Sequence, residues 1–220
     1  MDSGTVSFTL LELFQLGGIF MWPLLLFSIA TIFIAVERAV YFFYHNLKMD
    51  DMTARVSQQL ADNDAAGAEK YLSALCKRRM GARILLALVR QSKQEAGRSF
   101  SEHRIEKAVE TEAASCLHSL ENYLNFLTAL GAVSPLTGFL GTVSGMIGAF
   151  RSIAEATEVN AQIVANGIYE ALITTVFGLI IAIIALIAHS IFTNMVDRFA
   201  AEIEKNCTQL ISELVERHES

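Results

Sequence analysis

Three stretches of the chain carry no Asp, Glu, Lys or Arg: residues 13–36, 122–150 and 171–196. Each exceeds the roughly 20 residues that a helix needs to cross the hydrocarbon core of a bilayer. One such length could be a buried helix of a soluble domain, but three in one small chain predict three membrane spans. The first follows Gly17-Gly18 and runs through Trp22-Pro23 to Glu37-Arg38. Pro23 suits a first helical turn, where its missing N–H costs nothing. Trp22 at one end, with Tyr41 and Tyr44 at the other, suits the two interfacial belts.

Between and after the spans the pattern turns amphipathic with helical spacing. Asp62 or Asp64 is placed to cap a helix over residues 65–76, and residues 81–94 read as another. From Ser101 the apolar positions Ile105, Val109, Ala113, Cys116, Leu120, Tyr123 or Leu124, and Leu127 form one stripe. It meets no helix breaker before Gly131, so the second span is expected to extend several turns out of the membrane. Met195, Phe199, Ile203, Cys207, Leu210 and Leu214 keep the same spacing beyond the third span, among charged residues. The acidic balance of that tail disfavours an anionic lipid surface, and packing against the other polar-region helices is expected instead. The fold class is therefore an all-α membrane protein of three transmembrane helices, the second and third extended into a cytoplasmic helical bundle.

Composition agrees: 53% of the 220 residues are hydrophobic and 18% charged. Charge sets the orientation. Twelve of the seventeen Lys and Arg lie between Lys48 and Lys107, and none precedes Arg38. The positive-inside rule then puts the large loop and the C-terminus in the cytoplasm and the N-terminus outside. The expected organisation is an outer segment at 1–18, spans at 19–44, 122–150 and 164–192, a cytoplasmic domain at 45–121, a short outer loop at 151–163 and a cytoplasmic helix at 193–220. The N-terminus lacks the basic region of a cleaved signal peptide, so the first span is expected to be retained. No basic tract points to nucleic acid. The three cysteines and five histidines form no metal-ligand or nucleophile–base spacing, so neither a cofactor nor an enzymatic activity is expected.

The candidate chemistry lies in the second and third spans. Gly131, Ser134, Gly138, Gly141, Gly145 and Gly148 recur in steps of three and four, as do Gly167, Ala171, Thr175, Gly178, Ala182, Ala185 and His189. In lipid, such small-residue seams mark helix–helix interfaces. Polar groups there need a reason. Ser134 and Thr137 flank Pro135 and are expected to mend the hydrogen bond that the proline breaks. Thr142, Thr174 and Thr175 add hydroxyls on or beside the seams, where back-bonding to their own helix is the alternative explanation. Glu170 is the acidic residue within the apolar part of a span and shares a face with Thr174. One carboxylate does not complete a proton relay; a chain that conducts ions this way needs an oligomer or a partner to supply another ionisable group.

At these residues the chain resembles a known family. Residues 134–146, Ser-Pro-Leu-Thr-Gly-Phe-Leu-Gly-Thr-Val-Ser-Gly-Met, are similar to the APLLGLLGTVxGM segment of the ExbB/TolQ/MotA family. Residues 167–175, Gly-Ile-Tyr-Glu-Ala-Leu-Ile-Thr-Thr, are similar to its GIAEALITT segment. The first span, from Met21-Trp22-Pro23-Leu24-Leu25-Leu26 to Glu37-Arg38, resembles the MxPLLxxS…ER start of ExbB-like members. Where the family often has Pro before the third span's Gly-Ile, this chain has Asn166. Its AIPA proline is Ile184 here, the large residue after GTV is Ser144, and the Tyr-Asn after the third span is His189-Ser190.

The resemblance implies an inner-membrane channel subunit in a homo-oligomer, a pentamer in the family. The pentamer surrounds an ExbD/TolR-like subunit with one span, whose membrane Asp takes up and releases H+, with Na+ the alternative. Force passes to a TonB-like or TolA-like transducer. It also implies that Thr142 and Thr175 line the pore and that Glu170 is the acidic position, gating or hydrating the outer entrance. Thr174 adds a second hydroxyl beside Thr175, while Gly138, Gly141, Gly145, Gly148 and Gly178 remain the packing seam. The expected role is energising TonB-dependent transport; TolQ-like envelope maintenance, a flagellar-stator-like channel and a non-conducting membrane scaffold are the alternatives.

Overall fold

The computed structural model describes residues 14, 17–45, 47–95, 101–155 and 161–219. Among them the secondary structure is helical: α1 (Met21–Tyr44), α2 (Asp50–Ala61), α3 (Ala65–Leu75), α4 (Met80–Glu95), α5 (Glu102–Glu121), α6 (Leu124–Glu155) and α7 (Ala161–Glu219). Three helical stretches, Met21–Tyr44, Glu102–Glu155 and Gly167–Arg217, are long and apolar enough to cross a membrane. The protein is an all-α, multi-pass membrane protein. The outer segment expected at 1–18 falls largely outside the described residues; of the outer loop expected at 151–163, residues 151–155 continue α6 and 161–163 begin α7, and 156–160 lie outside the described residues.

The chain divides into two compact units, Met1–Val36 with Tyr123–Ser190, and Glu37–Asn122 with Ile191–Ser220. In the first, α1 packs Met21 and Leu24 against Ile173 and Ile181 of α7, with Phe27 and Phe177 half-buried around them. The opposite face of α1 exposes Trp22, Leu26, Ile29 and Phe33, and α6 and α7 expose Leu136, Phe139, Phe150, Leu172, Ile183 and Ile187. In water so much exposed apolar surface would be a liability; facing lipid or neighbouring apolar helices, it carries no such cost.

The second unit has an ordinary apolar core. Met49, Met52, Leu72, Ile84, Leu85, Leu88, Ile105, Leu120, Phe199 and Leu210 are fully buried. Of the two candidate caps for α3, Asp64 serves: its side chain accepts the Gly67 N–H at 2.8 Å. Glu69 on α3 pairs with Arg90 and Lys93 of α4, and those two cations hold its carboxyl below the usual range. Ile105, Val109, Cys116 and Leu120 of α5 are buried as their spacing predicts, and so are Phe199, Ile203, Cys207, Leu210 and Leu214 of α7. Polar contacts add to this packing: Glu202 accepts the Met49 N–H, and Asn206 donates to Asp50.

The stripe that begins at Ser101 does not run unbroken into the second span. α5 ends at Glu121, Asn122 is extended with ψ 137°, and Tyr123 has φ 68°. A bulky residue in the left-handed region costs about 1–2 kcal/mol, so something must favour the break. Arg38, whose side chain is 4% exposed, aims its guanidinium at the carbonyls of Ser119 and Leu120, at 3.4 and 3.5 Å. In a continuous helix those carbonyls would accept from residues 123 and 124. Arg38 therefore supplies donors at the point where the helix withdraws its own. Glu37 holds the guanidinium through two contacts at 2.6 and 2.8 Å, and the Tyr41 ring lies beneath it at 4.6 Å.

Candidate functional site

The two small-residue seams meet. A Cβ built on Gly178 would lie 2.6 Å from the Ser134 carbonyl oxygen, and one on Gly138 would lie 2.8 Å from the Thr174 carbonyl oxygen. Further along, Gly145 faces Ala171 and the Gly167 carbonyl, each at 3.1 Å from such a Cβ. Residue numbers fall along one helix as they rise along the other, so α6 and α7 are antiparallel. Their backbones approach as closely as they do because these positions lack side chains. Gly141 belongs to the same contact, since its Cβ would collide with the Thr174 hydroxyl.

Gly148 does not belong to it. A Cβ there would meet nothing within 4 Å, and the residue instead borders an open cavity of about 590 Å³. The α6–α7 contact itself continues to Ala149, whose Cβ a Cβ on Gly167 would meet at 2.6 Å, so Ala149 takes the next seam position and Gly148 faces the cavity. Gly17, Phe20, Ser144, Ser152, Tyr169 and Glu170 also line this space, which has room for several water molecules. Glu170, half-buried, rests its carboxylate against Gly18, where any Cβ would overlap it. Gly18 also has φ 66°, a conformation that glycine alone adopts at little cost. The Gly17-Gly18 pair therefore shapes the start of α1 and leaves room for the carboxylate.

The hydroxyls sort into two kinds. Ser134 donates to the Leu130 carbonyl at 2.6 Å and Thr137 to that of Val133 at 3.0 Å. Both are bonds to their own helix four residues back, so neither mends the Gly131 carbonyl that Pro135 leaves without its donor. The Gly131 carbonyl is the i−3 position of Ser134 and within a hydroxyl's reach, but the Ser134 hydroxyl takes the i−4 carbonyl of Leu130 instead, while Thr137 reaches no further back than Val133. Thr142 likewise donates to Phe139 at 2.7 Å.

Thr174 and Thr175 reach across the seam. The Thr175 hydroxyl donates to the Gly138 carbonyl at 3.2 Å. Thr174, 1% exposed, lies 3.2 Å from the same oxygen and 2.8 Å from the carbonyl of Ala171. A carbonyl has two lone pairs. With one accepting a helical N–H, Gly138 can take one hydroxyl well, which assigns it to Thr175 and leaves Thr174 to Ala171. A hydroxyl committed in this way offers only lone pairs. Thr142 and Thr175 are thus acceptors for water, hydronium or a protonated carboxyl.

Within one chain the candidate residues do not line a single space. Glu170 borders the cavity; Thr174 is sealed in the seam; Thr142 and Thr175 are half-buried nearby on facing helices. Three details escaped the sequence reading. Gly17-Gly18, which precedes the first span, is the seat of Glu170. Thr31 on α1 is 1% exposed, with a hydroxyl that has no partner among the described residues. Thr128 meets His189: their side chains approach to 3.2 Å, and the same Nδ1 lies 3.2 Å from the Leu124 carbonyl.

Residues 77–205 match the sequence profile of the MotA/TolQ/ExbB proton channel family. A Synechocystis protein named ExbB-like 3 is 32% identical over 203 residues, which cover 91% of this chain and 92% of that one. The biopolymer transport protein ExbB of Salmonella typhimurium is 30% identical over 193 residues, 86% of this chain and 77% of its own length. The Tol-Pal system protein TolQ of Haemophilus influenzae is 45% identical over a shorter 74 residues, 34% of this chain and 32% of its own.

Proposed function

This chain belongs to the MotA/TolQ/ExbB proton channel family, and we propose that it is the ExbB-like channel subunit of an inner-membrane motor driven by the proton-motive force. In this reading several copies, five by resemblance, enclose the single span of an ExbD/TolR-like partner. That partner's membrane Asp is the deep ionisable group that this chain lacks. The Thr142 and Thr175 hydroxyls accept hydrogen bonds from the partner's protonated carboxyl or from the water that carries the ion. Glu170 and its cavity form the outer entrance. The translocated ion is H+, with Na+ the alternative. The N-terminus is periplasmic and the C-terminus cytoplasmic in this reading, which the placement of the basic residues supports.

The observation that carries the reading is the match to a channel family over a region containing both threonines and Glu170. The seam geometry supports it: Thr175 presents lone pairs at the edge of a tight α6–α7 contact that holds it in place. One charge crossing 100 mV releases roughly 2.3 kcal/mol, enough for a small conformational step at each proton. The work is passed to a TonB-like transducer for outer-membrane transport. The TolQ-like alternative, with a TolA-like transducer, is favoured by the local similarity to TolQ over 74 residues.

The test is cellular. Thr175→Val keeps the side chain's size and removes the hydroxyl. Siderophore uptake through a TonB-dependent receptor is measured beside the abundance of the variant. The reading expects uptake to fall severely at normal abundance; normal uptake at normal abundance overturns the role of Thr175. Loss of outer-membrane integrity with intact uptake would select the TolQ-like branch.

A further inference from the structure

The end of α1 and the middle of α7 enclose an open cavity of about 580 Å³, lined by Ala39, Phe42, Phe43, Leu47, Phe192 and Met195. All six side chains are apolar, and all belong to the second compact unit. Ala39, Phe42 and Phe43 share one face of α1 by their spacing, and Leu47 follows just after that helix ends at Tyr44. Phe42 and Phe192 are buried and stacked, with ring centroids 5.5 Å apart and planes inclined by 2°. They form a packed back wall. Phe43, 93% exposed, stands at the rim, and the cavity has the size of a small-molecule site.

Charge gives the level of this cavity. α7 carries no charged residue from 171 to 196, about 39 Å of helix, which covers the hydrocarbon core and much of the headgroup layers. Phe192 and Met195 close that stretch, so the cavity opens where hydrocarbon gives way to headgroups. Exposed apolar faces lead to it along each helix: Phe33, Val36, Val40 and Phe43 on α1, and Ile184, Ile187 and Ile191 on α7. One turn beyond Met195, on the same side of α7, stands Arg198, exposed and without an ion pair among the described residues. Lys48 adds a second positive charge directly after Leu47. Of the nearby acids, Glu37 is paired with Arg38, Asp50 and Asp51 open α2, and Asp197, two residues from Met195, falls on the opposite side of its helix. The acidic tail beyond Arg198 turns Phe199, Ile203 and Cys207 into the core, so the membrane contact is confined to this one turn.

We propose that the cavity binds one anionic phospholipid of the adjoining leaflet. An acyl chain lies on the Phe42–Phe192 wall between Phe43 and Met195, and the phosphate meets Arg198 in the positive field to which Lys48 contributes. Apolar contact holds the chain, and Arg198 selects the headgroup: its methylenes lie along apolar surface while the guanidinium reaches the polar layer and binds phosphate through two parallel donors. A protein helix could cover the same wall. The lipid is favoured because the apolar faces leading to the cavity run on into the membrane and end at a cation. The orientation proposed above enters only in naming the leaflet, the cytoplasmic one, whose surface is anionic.

Quenching of tryptophan fluorescence by brominated lipid tests it. The chain has one tryptophan, Trp22; Trp22→Phe with Phe43→Trp moves the fluorophore to the rim of the cavity. The full-length chain is reconstituted into phosphatidylethanolamine vesicles containing rising fractions of brominated phosphatidylglycerol or of brominated phosphatidylethanolamine. Both lipids stand in both leaflets, so the result does not depend on the orientation of the chain. The proposal expects a preference for phosphatidylglycerol of at least about fivefold, the effect of one cation at an anionic surface, lost in Arg198→Gln and kept in Arg198→Lys. Met195→Trp in place of Phe43→Trp should give the same preference, and Trp22 in the unsubstituted chain should give none. Equal quenching by the two lipids at both cavity positions, a preference that survives Arg198→Gln, or one as large at Trp22 overturns the proposal. Absence of quenching by either lipid shows that a second copy of the chain covers the cavity, and overturns it as well.

Discussion

Replacing Gly178 by alanine places a methyl group 2.6 Å from the Ser134 carbonyl oxygen and 3.3 Å from the Gly138 Cα. Ordinary contact begins near 3.4 Å, and neither neighbour is a flexible side chain, so α6 and α7 must move apart by about 0.8 Å. The Thr175–Gly138 hydrogen bond, already 3.2 Å long, would stretch beyond useful range. Overpacking of this kind costs about 1–3 kcal/mol, and a lost interhelical hydrogen bond in a membrane protein adds about 0.6 kcal/mol. Alanine's better helix propensity returns up to about 1 kcal/mol, leaving a net loss on the order of 2 kcal/mol. Gly148→Ala is the control: its methyl group meets nothing within 4 Å, so only the propensity gain of up to about 1 kcal/mol remains. Reversible unfolding of the purified chain in mixed micelles of rising SDS content, followed by circular dichroism, reads both. Equal shifts for the two variants, or a more stable Gly178→Ala, would refute the account of the seam.

Two further outcomes follow from the structure. Gly18→Ala puts a side chain onto the Glu170 carboxylate at a backbone φ of 66°; it should destabilise the chain by about 1–2 kcal/mol and reduce proton flux in the reconstituted complex, and unchanged flux would remove Glu170's seat from the path. Burial pushes the Cys116 thiol up to about 11 and the Cys207 thiol up to about 12, so half-buried Cys76 should react first with a maleimide at pH 7.5, and the other two only after unfolding. The same shifts have a stability consequence. Between the ordinary thiol value near 9 and those raised values, the unfolded chain loses protons that the folded chain retains, so stability should fall as pH rises through that window; a flat profile there, corrected with Cys116→Ala and Cys207→Ala, would contradict it.

What was legible in the sequence depended on periodicity. The three spans, the stripe of Ile105, Val109, Cys116 and Leu120, and the buried face of the α7 tail are each set by one helix's own pattern. The seam was legible as far as Gly145, because small residues on two neighbouring helices pack in only one way. Contacts between distant segments were not. The break at Asn122–Tyr123 depends on Arg38, 81 residues from the Ser119 carbonyl it caps, and no local signal announces it. The expected repair at Pro135 is not made, since the Ser134 hydroxyl takes the Leu130 carbonyl in place of that of Gly131 and Thr137 takes that of Val133. Gly148 fits the spacing of a packing residue, yet its neighbour Ala149 takes the seam position against Gly167 and leaves Gly148 facing the cavity.

The central claim is that Thr175 contributes a hydroxyl to a proton path rather than to the fold. It is tested most directly by proton flux in liposomes containing the chain and its single-span partner, comparing Thr175→Val with the unsubstituted complex at a fixed pH difference. The account predicts at least a tenfold loss of flux, with a stability change of only about 0.6 kcal/mol, the worth of one interhelical hydrogen bond. Flux equal to that of the unsubstituted complex, in a variant that is folded and assembled, would contradict it.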